Sequence, residues 1–250
     1  MVAIDVEQYE ALIFDLDGVV TQTASLHAQA WKQLFDEFLT ERATTPAEFV
    51  PFDPETDYRR YVDGKPRIAG VQSFLGARGI DLPVGTPKDD AGQRTAHGLA
   101  CRKDRLFGEL LARKGVQVFA SAVQFLRDAR QRNLRIAVAS SSHHCAEILR
   151  AADLTVLFDV RVDGMDIDRL GLTGKPAPDM FLEAARRLGV APLRAVVFED
   201  ATAGIAAARA GGFGLVVGVG RGTQASALVA SGADQVVADL SEVSLQGEDS

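Results

Sequence analysis

Apolar positions along the chain follow two alternating rhythms. Short unbroken runs rich in Val and Ile occupy Ala11–Leu16, Arg135–Ala139, Ala195–Phe198, Phe213–Val219 and Gln235–Ala238. Runs of this kind read as strands buried on both faces, as in a parallel sheet. Between them lie helix-period patterns over Ala122–Arg132, Cys145–Ala152, Ala177–Leu188 and Ala203–Ala210. Pro176 and Pro178 stand at the start of the third, where a missing N–H costs little. The βαβα alternation predicts an α/β fold with a doubly wound, Rossmann-like parallel sheet as its core.

The stretch after the first strand breaks this rhythm. From about Thr23 to Gly115 no strand pattern occurs. Thr23–Leu39 predicts a helix with Leu26, Ala30, Trp31, Leu34, Phe35 and Phe38 on one face. A Pro- and acid-rich stretch, Pro46–Asp57, and a loop-rich one, Asp81–Gln93, follow. The whole is too long for an ordinary βα connection. Residues 23–115 are therefore expected to form an inserted α-helical cap domain, with 1–22 and 116–250 forming the catalytic core.

Composition narrows the function classes. The chain has 250 residues and a formal charge of −7. Residues 21–115 carry 14 basic and 13 acidic residues, so the acidity sits in the inferred core. An acidic chain without a basic run is a poor partner for nucleic acid or an anionic membrane. Only Cys101 and Cys145 occur, which points to a reducing compartment. Acids precede the first apolar stretch, unlike a signal peptide. No apolar run approaches the ~18 residues that span a bilayer. A cytoplasmic location is expected.

The candidate chemistry clusters at strand ends, where ligands bind in open α/β sheets. Asp15 and Asp17, in Asp15-Leu16-Asp17-Gly18, would project side by side there. Such crowding needs a cation or a shared proton. Glu199-Asp200 after Ala195–Phe198 is a second acidic pair at the same edge. Two such pairs predict an oxygen-only site suited to Mg²⁺. Lys175, in Gly174-Lys175-Pro176, is the single lysine against 12 arginines from residue 116 onward. A compact ammonium differs from a planar fork as a phosphate partner. Ser140-Ser141-Ser142 follows the strand Arg135–Ala139. Its hydroxyls either hold phosphoryl oxygens or cap the next helix, and capping is the expectation for Ser141 and Ser142. Alone, either acidic pair also fits a solvated loop or turn, and the lone Lys175 also fits an accident of codon usage. His143, His144 and Cys145 are too close together on a helix start to converge on zinc.

Taken in order, the acids, hydroxyl, lysine and acids resemble the four motifs of the haloacid dehalogenase superfamily over nearly the whole chain. Within it, the sequence is similar to the β-phosphoglucomutase-like subfamily. The resemblance is carried by Asp15-Leu16-Asp17-Gly18-Val19-Val20-Thr21-Gln22-Thr23, by His27 and Trp31 in His27-Ala28-Gln29-Ala30-Trp31, by Lys175-Pro176-Ala177-Pro178-Asp179, and by Phe198-Glu199-Asp200-Ala201-Thr202-Ala203-Gly204.

That resemblance implies Asp15 as the nucleophile that forms an aspartyl-phosphate and Asp17 as the general acid/base. It implies Mg²⁺ held by Asp15, the Asp17 carbonyl, Glu199 and Asp200, with Ser140 and Lys175 steadying the phosphoryl group. Thr23, His27, Gly64, Lys65 and Arg67 are the implied substrate contacts of the cap. Here Asp63 stands where the subfamily commonly has a lysine, and the lysine follows the glycine as Lys65; Gln22 replaces a common Asp. The implied reaction converts β-glucose 1-phosphate to glucose 6-phosphate. The alternative is hydrolysis of a sugar or disaccharide phosphate. The implied partner is a small phosphorylated sugar, bound by a monomer.

Overall fold

The first long apolar run, Ala11 to Phe14, is fully buried and forms the central strand β2. The computed structural model describes residues 1–45 and 48–247. Pro46, at the head of the acid-rich stretch, lies outside the described residues. The other strands of the main sheet are β3 (Arg135–Ala139), β4 (Val160–Val162), β5 (Ala195–Glu199), β6 (Leu215–Val219) and β7 (Gln235–Val237). All pair in parallel, in the order β4-β3-β2-β5-β6-β7. A separate parallel pair joins β1 (Val2–Asp5) to β8 (Val243–Gln246). Parallel neighbours need crossovers, and helices supply them: α4 (Ala120–Gln131), α5 (Cys145–Ala151), α6 (Gly164–Leu170), α7 (Asp179–Leu188), α8 (Thr202–Ala210) and α9 (Thr223–Ala230). The fold is α/β and Rossmann-like.

Register is what positions the site. Phe14 of β2 lies beside Val138 of β3 and Phe198 of β5. The next residues, Asp15, Ala139 and Glu199, therefore stand at one level at the carboxyl end of the three strands. On one face Ile13, Ala137 and Val197 pack under Met180, Phe181 and Ala184 of α7. On the other, Phe14 stacks on Phe198 at 4.6 Å and meets Phe125 of α4 edge-on at 6.2 Å. Burial of such side chains stabilises by roughly 1.5–3 kcal/mol each before entropy is counted.

The chain divides into two compact units, Met1–Gln22 with Val116–Ser250, and Thr23–Gly115. The second is built from α1 (Ala24–Arg42), a five-residue π-helical turn at Tyr58–Val62, α2 (Arg67–Ala77) and α3 (Ala96–Lys114). Its core is aromatic: Trp31, Phe35, Phe38, Phe52 and Phe74 are all buried. Trp31 stacks on Phe35 at 5.2 Å. Residues 81–93 carry neither helix nor strand.

Three local expectations are corrected. The third core helix begins at Asp179, so Pro178 is its cap residue and Pro176 lies before it, after a cis peptide bond. The Asp179 carboxylate instead accepts from the Thr173 N–H at 2.8 Å and closes the preceding loop. Neither Ser141 nor Ser142 caps α5, whose N-cap is His144. Ser142 Oγ accepts from the His144 N–H at 3.2 Å, which closes a turn one step before the helix. Ser141 Oγ donates to Met180 Sδ at 3.7 Å.

Candidate active site

Asp15 is the first residue beyond β2, and its N–H still bonds to the Phe198 carbonyl at 2.9 Å, as a further rung of the sheet. The chain then turns sharply. Gly18 has φ +94°, and its N–H donates to the Thr21 carbonyl at 2.7 Å. A Cβ on Gly18 would stand 1.9 Å from Asp200 Oδ2. Only glycine both accepts this φ and lets Asp200 come so close.

Lys175 reaches this level from the loop before α7. Its side chain is 0% exposed. The ammonium donates to Asp15 Oδ1, to Glu199 Oε2 at 2.7 Å and to the Ala139 carbonyl at 3.2 Å. It thereby joins the ends of β2, β3 and β5. The Phe181 ring lies 4.8 Å below it. The other Glu199 oxygen, Oε1, accepts from the N–H groups of Asp200 and Ala201 at 3.2 and 3.0 Å. Ser140 Oγ donates to Asp17 Oδ2 at 3.1 Å and accepts from the Ser142 N–H at 3.2 Å.

Electrostatics shape this cluster. Burial pushes the Asp15 carboxyl well above the usual carboxylate range, the Glu199 charge adds to the rise, and Lys175 opposes it. Burial would lower the Lys175 ammonium, but attraction to Asp15 and Glu199 outweighs it and holds the group above its ordinary value. One ammonium thus faces more carboxylate charge than it can balance.

That imbalance makes the site a candidate cation centre. Asp15, Glu199 and Asp200 each offer an oxygen, all within 4.8 Å of one another. The donor set is oxygen only, the hard chemistry that suits Mg²⁺ or Ca²⁺ rather than zinc.

The six core residues singled out by the sequence, Asp15, Asp17, Ser140, Lys175, Glu199 and Asp200, thus gather at one edge of the sheet. The other five belong to the helical unit. Thr23 is buried at the head of α1. The His27 ring stacks on Phe107 at 3.8 Å, and its Nδ1 meets Lys103 Nζ at 2.6 Å. Gly64 and Lys65 lie between the π-helical turn and α2, and Lys65 donates to Ser73 Oγ at 3.0 Å. Partial burial lowers the Lys65 ammonium from its ordinary value. Arg67 opens α2, with its Nε buried and unbonded.

Sequence reasoning passed over Lys103. It is 5% exposed and lies over the rings of Trp31 and Phe107 at 5.2 and 4.9 Å. The signal was the one that marked Lys175: a lysine, one of six, in a chain with 21 arginines.

A family model of haloacid dehalogenase-like hydrolases matches residues 9–212. The chain is 48% identical over 241 residues to the β-phosphoglucomutase of Mycobacterium tuberculosis, covering 95% of this chain and 92% of that protein. It is 30% identical over 211 residues to the phosphorylated carbohydrates phosphatase of Thermotoga maritima, covering 84% and 85%. Its fold matches the crystal structure of the β-phosphoglucomutase from Clostridium difficile with a TM-score of 0.72, at 24% identity and over 93% and 92% of the two chains.

Proposed function

Since the chain belongs to the haloacid dehalogenase-like hydrolase family, we propose that it is a phosphotransferase that works through an aspartyl-phosphate on Asp15, acting as a β-phosphoglucomutase. The observation that carries this reading is the buried Asp15–Lys175–Glu199 cluster at the end of β2, in a chain 48% identical to a mycobacterial β-phosphoglucomutase.

Asp15 supplies the attacking oxygen. A new P–O bond forms to its carboxylate as the bond from phosphorus to the sugar oxygen breaks. Asp17, held by Ser140, gives its proton to that leaving oxygen and takes one back from the incoming hydroxyl. A carboxylate approaching a phosphate meets like charge, which Lys175 offsets from its buried position. Asp15, the Asp17 carbonyl and Asp200, with Glu199 beside them, would hold Mg²⁺, which when bound neutralises phosphoryl oxygens and aligns an in-line displacement. Ser140 steadies the same phosphoryl group.

In the mutase cycle, O6 of β-glucose 1-phosphate takes the phosphoryl group from Asp15 to give the 1,6-bisphosphate. The bisphosphate returns its 1-phosphoryl group to Asp15 and leaves as glucose 6-phosphate. A second phosphate needs its own cation, and Lys65 and Arg67 around Gly64 supply it in the helical cap, with Thr23 and His27 as further contacts. The second reading is hydrolysis of a sugar phosphate. It is favoured by the likeness to the Thermotoga maritima phosphatase and by a cap lysine that follows the glycine instead of preceding it.

One assay separates the two. The protein is given β-glucose 1-phosphate, Mg²⁺ and a trace of the 1,6-bisphosphate, and glucose 6-phosphate and inorganic phosphate are followed together. Glucose 6-phosphate without matching phosphate release is expected. Phosphate release without glucose 6-phosphate would sink the mutase reading.

A further inference from the structure

We infer that Gln224 is a positioning residue for Asp200, and through it for the cation of the reaction proposed above; the inference rests on that reading of the site. Asp200 lies in the turn between β5 and α8, and the backbone on both sides of its Cα is held by side chains. Its own N–H and that of Ala201 donate to Glu199 Oε1. Its carbonyl accepts from Gln224 Nε2 at 2.9 Å. These bonds pin the peptide planes on either side of the Asp200 Cα, and with them the direction of its Cα–Cβ bond.

Gln224 reaches the carbonyl from the first turn of α9, 24 residues further along the chain. The side chain crosses Gly220, where a Cβ would stand 3.1 Å from both its Cγ and its Cδ. That spacing is tight, so Gly220 gives the amide its path. On the far side, Gly18 admits Asp200 Oδ2 to a place that a Cβ would fill. Gln224, Asp200, Gly18 and Arg221 border a cavity of about 190 Å³. Asp200 thus stands at the edge of a cavity that Gln224 also lines. Hydrogen bonds that orient a metal ligand from outside are commonly worth about 10–100-fold in metal affinity. No strand-end motif of the sequence includes Gln224, which makes its reach to Asp200 a finding of the fold alone.

The test is Mg²⁺ titration of the full, substrate-free chain by calorimetry, for the wild type, Gln224→Met and Gln224→Ala. Methionine keeps the length and bulk of the side chain but has no donor. Gln224→Met is expected to bind Mg²⁺ about tenfold or more weakly, and Gln224→Ala to match it. In turnover, the half-saturating Mg²⁺ concentration should rise by the same factor, whereas a general packing defect lowers kcat at every Mg²⁺ concentration. Wild-type Mg²⁺ affinity in Gln224→Met overturns the inference, because packing alone then accounts for the residue. Gln224→Leu, equally without a donor, decides the point in the same way if the methionine variant does not fold. A wild type that binds no Mg²⁺ would overturn the cation assignment itself, and the inference with it.

Discussion

Lys175 concentrates the energetics of the site in one side chain. Its ammonium is fully buried between two carboxylates and a carbonyl. Removing one partner of such a group leaves buried charge uncompensated, at a cost of roughly 3–5 kcal/mol. Lys175→Met should lose about that much stability in urea denaturation, and Lys175→Arg should not restore turnover, because a planar fork cannot occupy the place of a point charge. Asp15→Asn should abolish phosphoenzyme formation while the protein stays folded; retained full activity would refute the nucleophile. Gly18→Ala combines a strained φ with a clash against Asp200 Oδ2. A displacement of a reacting group by ~1 Å can cost on the order of 100-fold in rate, and the variant's turnover at saturating Mg²⁺ should fall by that order.

At the scale of elements, the legible parts were those whose periodicity nothing interrupts. The runs that became β2, β3 and β5 are nearly all apolar because both of their faces are covered. The edge strand β4 carries Arg161 between two valines, and β1 and β8 alternate or mix in polar residues, so none reads as a buried run. Helix α3 hid for a similar reason: its buried face includes Gly98, Ala100 and Lys103 as well as leucines and Phe107. Helix α6 and its cap hold three acids, Asp163, Asp166 and Asp168. Two of them build its start, since Asp163 accepts from the N–H groups of Met165 and Asp166 while Asp166 accepts from Asp163 in return. Asp15, Ser140, Glu199 and Asp200 were legible because each ends or directly follows a strand, and Lys175 because it is the single lysine from residue 116 onward. Lys103 and Gln224 were not, because each acts through a contact distant in sequence.

The same acids give α6 a measurable pH signature. Burial alone would raise the Asp166 carboxyl, but hydrogen bonds and charge from Arg187 and Arg169 draw it down to about 2. A carboxyl depressed in the folded state binds fewer protons there than in the unfolded chain, so its stabilisation is present above 3.8 and lost as pH falls toward about 2. Asp166→Asn should therefore flatten the dependence of stability on pH in that window. An unchanged slope in acid denaturation would show that the Arg187 contact is not maintained in solution.

Taken whole, the molecule carries its excess acid in the part of the chain that also bears Asp15, Asp17, Glu199 and Asp200. Among the described residues, no helix is long and apolar enough to cross a membrane. A cation bound only by the folded chain stabilises it by mass action, by about 2.7 kcal/mol at a hundredfold excess over Kd. Mg²⁺ should accordingly raise the melting temperature of the wild type and leave that of Asp200→Asn nearly unmoved, a comparison that differential scanning fluorimetry makes directly.

The pairing of β2 with both β3 and β5 has a consequence for the life of the chain before it is fully folded. Positions 15, 139, 175 and 199 are strangers in sequence, and Lys175 can bridge them only after three strands have met in their final alignment. A slip of one residue would turn Asp15 or Glu199 to the opposite side of the sheet. A half-assembled copy therefore lacks the Asp15–Lys175–Glu199 cluster on which the proposed chemistry rests.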